Sequence, residues 1–252
     1  MLKHRIIPIV LIDGFSVLKT INFEKRRNLG SPITVMQTYE TRNVDELIIL
    51  DIDAAKQNRS IDKFIIKEMT QECFMPLTIG GGLRNCKDIE GILNVGADKV
   101  SLNSSVVADK DFLSQAVRNF GSQCIVVSID VIMHEGNLKL FSDGKVNEQI
   151  DIFDHMKSVE ESGAGELLVT DVSGEGTMKG ANVNLASLIS SKSNVPLIFA
   201  GGTSGPDDAA NLVKRTGMSG VGISSIFHFT DSTPEDCRIA LRKENLPARR
   251  NL

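Results

Sequence analysis

The four cysteines, Cys73, Cys86, Cys124 and Cys237, form no Cys-x-x-C pair and no Cys/His spacing of the zinc-finger kind. No thiolate metal site can therefore be read from spacing. Cys124 lies within an apolar run, where a free thiol packs as a small hydrophobe, so reduced, buried thiols in a cytoplasmic protein are expected. Positive charge is not in excess. Lys and Arg number 28 against 32 Asp and Glu, a net charge of −4, which does not suit a nucleic-acid binder. Only the tail "RKENLPARRNL" is locally basic, and it reads as solvated. No apolar stretch approaches the ~20 residues of a membrane-spanning helix. The opening "MLKHRIIPIVLIDG" is broken at Asp13, too early for a signal peptide. No metal-ligand cluster and no dinucleotide-binding glycine motif appears, so no metal and no cofactor is expected.

What the chain does have is a series of short β-branched runs. They are "RIIPIVL" (5–11), "ELIILDID" (46–53), "PLTIGGG" (76–82), "DKVSLNSS" (98–105), "CIVVSID" (124–130), "ELLVTDVS" (166–173), "PLIFAGG" (196–202) and "SGVGISS" (219–225). Near-continuous apolar runs suit strands buried on both faces, hence a parallel sheet. Amphipathic stretches lie between them. "SIDKFIIKEMTQECF" offers Ser60 as N-cap, "DKDFLSQAVRNFG" starts behind Asp109, "DDAANLVKRTG" stops at Gly217, and "STPEDCRIALRKE" places Thr233 before Pro234. Eight βα units predict a single (β/α)₈ TIM barrel. No linker interrupts residues 1–252.

The two halves match. Glu46 and Glu166, Leu77 and Leu197, and the pairs Ser104–Ser105 and Ser224–Ser225 all stand 120 residues apart; Leu11 and Asp130 stand 119 apart. The pattern predicts two half-barrels, about 1–120 and 121–240, followed by the basic tail 241–252.

Active sites of such barrels sit at the C-terminal strand ends. "GGG" with "NSS" in the first half and "AGG" with "ISS" in the second place small, donor-rich residues there. Glycine admits close approach of backbone N–H groups to an anion. Two phosphate sites facing each other across one mouth are one reading; tight βα turns are the other. "SGEGT" adds a further Gly-rich loop. Asp51, Asp130 and Asp171 end their strands, either as acid–base groups or as structural acids bonding loop N–H groups. At the opposite ends Arg5, Glu46, Lys99 and Glu166 flank apolar runs, either solvated or as a ring of paired charges closing the floor.

These segments, together with "VLKTINF" and "SSIFHF", resemble the cyclase (HisF-type) subunit of imidazole glycerol phosphate synthase over nearly the whole chain. The resemblance implies a glutaminase (HisH-like) partner docked on the barrel floor at Asp98 and Gln123. Arg5, Glu46, Lys99 and Glu166 would form a gate for its ammonia. At the mouth a bis-phosphorylated ribotide would be cleaved and cyclised by two aspartates, ending strands 1 and 5. Phosphate binding falls on Lys19, Gly82, Asn103 and Ser104, and opposite them on Gly176, Gly202, Ser224 and Ser225. The strand 5 aspartate is Asp130.

The strand 1 aspartate, however, falls on Leu11, which transfers no proton. In the loop after strand 6, Ser173 and Glu175 replace two acids of the family pattern. Asp13, two residues on, is a weak substitute because "DG" reads as a turn. The pattern looks like cyclase-like paralogues associated with sugar amidation in surface-polysaccharide biosynthesis, which pair with a glutaminase and supply a separate sugar amidotransferase. The leading expectation is thus an ammonia-passing barrel subunit. The alternatives are an authentic cyclase of histidine biosynthesis, a scaffold that only activates its glutaminase and, less fitting, the related sugar isomerase barrel.

Overall fold

A computed structural model describes residues 3–71, 73–142 and 144–250. Each of the eight apolar runs contains a strand: β1 (Arg5–Ile12), β2 (Leu47–Asp51), β3 (Leu77–Gly80), β4 (Lys99–Leu102), β5 (Ile125–His134), β6 (Glu166–Asp171), β7 (Leu197–Ala200) and β8 (Gly220–Ile223). Neighbours in sequence pair in parallel. β1 also pairs with β8, through Arg5↔Gly220 to Pro8↔Ile223, so the sheet closes. Parallel neighbours need long crossovers. Helices α1 (Pro32–Thr41), α2 (Lys63–Gln71), α3 (Cys86–Leu93), α4 (Lys110–Phe120), α5 (Ile152–Glu161), α6 (Val183–Ser190), α7 (Pro206–Thr216) and α8 (Pro234–Lys243) supply them. The result is the (β/α)₈ barrel expected from the runs.

The period of two along each strand divides the core. Ile7, Ile9 and Leu11 of β1 join Ile48, Val126, Leu168 and Ile198 in one cluster inside the barrel. Ile6, Val10 and Ile12 join Ile49, Val127, Val169 and Phe199 in a larger cluster shared with the helices. Each such side chain contributes roughly 1.5–3 kcal/mol by leaving water. The even spacing fixes Arg5 and Leu11 on the same interior face, at opposite ends of β1.

Helix boundaries follow local chemistry. Asp109 caps α4 by accepting from Asp111 N and Phe112 N, Gly217 ends α7 in the left-handed region, and Thr233 forms a capping box with Asp236 at the start of α8. Ser60 does not cap α2. Ile61 N donates to Gly81 O at 2.9 Å, which ties that segment to the β3 end, and Asp62 Oδ1 accepts from Phe64 N instead.

Two antiparallel excursions extend the barrel at its C-terminal rim. Val17–Ile21 pairs with β1 and with Lys25–Gly30; Asn137–Ser142 pairs with β5 and with Lys145–Asn147. The Phe23 and Phe141 rings meet edge-on at 6.0 Å between them.

The basic tail is not a solvated appendage. His4 N donates to Pro247 O at 2.8 Å, and Arg249 donates to Val44 O at 3.0 Å and to Asn43 Oδ1 at 2.5 Å. Leu246 packs on the core, so apolar contact and backbone pairing outweigh solvation of the arginines. Asn251 and Leu252 lie outside the described residues. The thiols are not all buried as expected. Cys237 is fully buried, whereas Cys124 sits half-buried in a turn before β5, and all four cysteines are free. No helix among the described residues is long and apolar enough to cross a membrane.

Arg238 of α8 is fully buried. It donates to Asp45 at 3.2 Å, to Glu235 at 2.8 Å and to Asn43 O at 2.8 Å, while Asp45 also accepts from Ile6 N of β1. Removing one partner of a buried pair strands the other charge. Arg238→Ala is therefore expected to lose about 3–5 kcal/mol in urea denaturation; a loss within experimental error would contradict this account.

Candidate functional site

The charges flanking the runs converge on the barrel floor. Arg5 donates to Glu46 at 2.7 Å and also pairs with Glu166. Lys99 Nζ lies 3.1 Å from Glu46 and 3.0 Å from Glu166. Thr78 Oγ1 donates to Glu46 Oε1 at 2.7 Å. Two cations and two carboxylates thus alternate in a closed ring. Burial alone would push the Glu166 carboxyl up, but Arg5 and Lys99 hold it below the usual carboxylate range. Asp98 and Gln123 are exposed at this same end, with Asp98 Oδ2 accepting from Leu77 N at 2.8 Å and Gln123 Nε2 donating to Phe120 O at 3.4 Å.

At the other end a cavity of about 730 Å³ opens between the strand ends. Lys19, Gly82, Asn103 and Ser104 line it, as do Gly176, Gly202, Ser224 and Ser225. Two glycines are required by packing. A Cβ on Gly82 would lie 2.0 Å from Arg59 O, and one on Gly176 would lie 2.1 Å from Thr20 O; both have positive φ. The interior carries buried Thr78, Ser101, Ser128 and Thr170 on β3 to β6; the last three also line the cavity, and Thr78 lies beneath it against Glu46.

The acids divide by environment. Asp130 lines the cavity and accepts from Asn103 Nδ2 at 2.8 Å. Burial pushes its carboxyl up to about 6; bonds from Asn103 and Thr170 oppose this, and the Glu175 charge reinforces it. Asp51 is buried and fully engaged, pairing with Arg59 at 2.6 Å and accepting from Asp53 N and Ala54 N. Asp171 accepts from Ser173 N at 3.1 Å, lies outside the cavity lining, and is pushed up by burial. Asp13 closes its own turn, Oδ1 accepting from Ser16 N at 3.0 Å, and does not line the cavity. Leu11, 7% exposed, lines it instead.

Lys19 reaches the cavity already paired. Its ammonium contacts Glu175, whose other oxygen accepts from Thr20 Oγ1 at 2.8 Å and whose carbonyl accepts from Asn22 N at 3.0 Å. This clamp joins the β1 hairpin to the loop after β6. Sequence reading missed it because the partners stand 156 residues apart. It also missed His228, whose ring lies 3.3 Å from the Tyr39 hydroxyl and is pushed down to about 4 by burial, with Lys19 and Arg42 adding to the effect. Thr203 was missed as well. Its Oγ1 is the one buried side-chain polar atom without a partner among the described residues, an arrangement that costs about 1–3 kcal/mol. Those residues contain no group of three or more His, Cys, Asp or Glu side chains placed to hold a metal.

The sequence that folds into this barrel matches a known family. The model described as "Histidine biosynthesis protein" matches residues 5–233, and the chain belongs to that family. It is 43% identical over 249 residues to a Campylobacter jejuni protein named "Putative imidazole glycerol phosphate synthase subunit hisF2", covering 99% of each chain. It is 34% identical over 252 residues to the Lactococcus lactis "Imidazole glycerol phosphate synthase subunit HisF", covering 99% of this chain and 97% of that one. The chain is thus HisF-like.

The raised Asp130 pKa makes a stability prediction. Between the ordinary value of 3.8 and about 6, the folded protein keeps a proton that the unfolded chain releases, so stability falls as pH rises through that window. Asp130→Asn removes the penalty. Its stability relative to wild type is expected to gain about 1–3 kcal/mol between pH 4 and pH 7.5 in urea denaturation; an equal difference at both pH values would contradict the assignment.

Proposed function

We propose that this chain is the barrel subunit of a cytoplasmic glutamine amidotransferase pair. A glutaminase docks on the floor near Asp98 and Gln123. Its ammonia enters between Arg5, Glu46, Lys99 and Glu166, passes Thr78, Ser101, Ser128 and Thr170, and emerges at the mouth. The product serves amidation of a sugar in surface-polysaccharide biosynthesis, through a separate sugar amidotransferase. The whole chain acts as one domain of two half-barrels. Gly82, Asn103 and Ser104 on one side, and Gly176, Gly202, Ser224 and Ser225 on the other, hold phosphoryl groups.

One observation carries this reading: an intact charged ring at the foot of β1, beneath Leu11 at its top. Proton transfer at two points of a substrate needs two groups. Asp130 is one, while Asp13 and Asp51 are held in local bonds. A missing general acid or base costs about 10²–10⁴-fold.

The second reading, an authentic cyclase, is favoured by Asp130, whose carboxyl titrates near the range useful for proton transfer. The two part on one assay. With ammonium salts and no glutaminase, wild type is expected not to turn over the bis-phosphorylated ribotide, and Leu11→Asp is expected to gain activity of the order of 10²–10⁴-fold. Wild-type turnover equal to that of Leu11→Asp would establish the cyclase.

Conduction has its own test. In the glutaminase complex, Lys99→Phe fills the ring while Arg5 still pairs with both glutamates. Ammonia delivery is expected to fail while glutamine hydrolysis continues. Delivery at the wild-type rate would sink the conduit and leave a scaffold.

A further inference from the structure

Four of the exposed large apolar side chains stand at the mouth end of the barrel: Phe15, Phe64, Met133 and Phe229. Three of them share one sector. Phe15, 77% exposed, lies in the turn after β1; Phe64, 80% exposed, lies in the first turn of α2 after β2; Phe229, 42% exposed, ends the short helix Ser225–Phe229 after β8. β8, β1 and β2 are adjacent strands. Apolar groups gathered in one exposed sector mark an interaction surface more than single exposed side chains do.

The same sector is basic. Lys25, Arg26, Arg27, Lys56 and Lys63 are exposed there, against Glu24, Asp231 and Asp236. The hairpin strand Lys25–Gly30 pairs along one edge only, with Val17–Ile21. Lys25 and Arg27 fall on one face of it, and Arg27 lies over the Phe229 ring at 5.9 Å. Lys25 and Lys56 enter no ion pair among the described residues. Across the mouth the sign reverses. The loops after β4 and β5, with the helix starts they reach, expose Asp109, Asp111, Glu135, Glu148, Asp151 and Asp154, against Lys145 among the described side chains. A rim that is basic and aromatic on one side and acidic on the other favours one orientation of a complementary partner.

Ammonia adds a constraint. In neutral water an amine-like base is protonated, and ammonium has no lone pair with which to attack. Ammonia that leaves the mouth into solvent is largely lost to transfer, so the enzyme that consumes it must cover the exit and exclude water there. We propose that the sugar amidotransferase docks on the mouth rim, seating Phe15 and Phe229 in apolar pockets and presenting carboxylates to Lys25, Arg27 and Lys56. This rests on the reading that ammonia passes through the barrel. It adds where the acceptor enzyme binds and the chemistry of the face it presents.

The full chain, its glutaminase and the sugar amidotransferase together test it. Glutamine carrying heavy nitrogen in its amide is supplied with unlabelled ammonium chloride in the medium. Mass spectrometry reads the label in the amidated sugar, and calorimetry reads binding of the amidotransferase to the chain. Wild type is expected to place the glutamine nitrogen in the product. Phe15→Ala with Arg27→Glu changes exposed positions, so its Tm is expected to match wild type. Its binding is expected to weaken about tenfold or more, and the product label to fall toward that of the medium while glutamine hydrolysis continues. Lys25→Glu with Lys56→Glu is expected to slow association at low salt, with the difference shrinking at high salt. Wild-type binding and label in the first double variant overturn docking at the rim and leave the conduit standing. Variants that lose only affinity for inorganic phosphate overturn it too, since the cations then serve a small anion. A wild type that incorporates medium ammonia as readily as glutamine nitrogen overturns the conduit itself.

Discussion

The ring of Arg5, Glu46, Lys99 and Glu166 is the interaction on which the barrel interior depends. A glutamate side chain only 3% or 8% exposed is costly unless each charge is answered. Here each carboxylate meets both cations, and Glu46 takes a further bond from Thr78. The four residues come from β1, the approach to β2, β4 and β6, so the ring also ties together strands that do not all touch. Because side chains alternate along a strand, fixing Arg5 inward fixes Ile7, Ile9 and Leu11 inward too. The floor thus sets which residues meet at the mouth. The same ring closes the lower end of the interior, so anything crossing the barrel must pass between these charges.

The fold was legible because strands buried on both faces must be apolar along their length, and all eight runs became strands. Individual mouth and floor residues were legible for a related reason: position on such a strand determines which end a residue faces. Pairing was not legible. Lys19 reads as a free cation beside a phosphate pocket, yet it meets Glu175 from the opposite half of the chain. The rim hairpins were missed because "VLKTI" and "NLKLFS" mix polar and apolar residues. Such strands pair only at a barrel edge and need no continuous apolar run. The tail was misread from its charge, although Leu246 and the backbone at His4 decide its place.

The missed hairpins extend the repeat. The added strands begin at Val17 and Lys25 after β1, and at Asn137 and Lys145 after β5, the same offset of 120 residues that relates the strands. Each half therefore has a strand, a hairpin rising from its end, and an aromatic at the hairpin; Phe23 and Phe141 meet across the mouth. Symmetry of backbone does not carry over to charge. β5 brings Asp130 to the cavity, and β1 brings Leu11.

That difference changes what the mouth can do. Across from Leu11, Asp130 lies in surroundings that disfavour its charge, and the nearby Glu175 adds to the effect while itself remaining bound to Lys19 and Thr20. A second freely placed carboxylate would give the cavity a donor and an acceptor for protons at once. Glu175 is clamped to the hairpin, Asp51 is held by Arg59 and Asp13 closes its own turn, so these three serve the loops; the exposed Glu24 of the hairpin also lines the cavity. The donors around it include hydroxyls and the Lys56 ammonium, which suit an anion. On the reading proposed above, the mouth holds a phosphorylated ligand without the second strand-end acid needed to transform it, whereas the floor carries a fully paired ring. This imbalance between the two ends of one barrel favours passage over cyclisation.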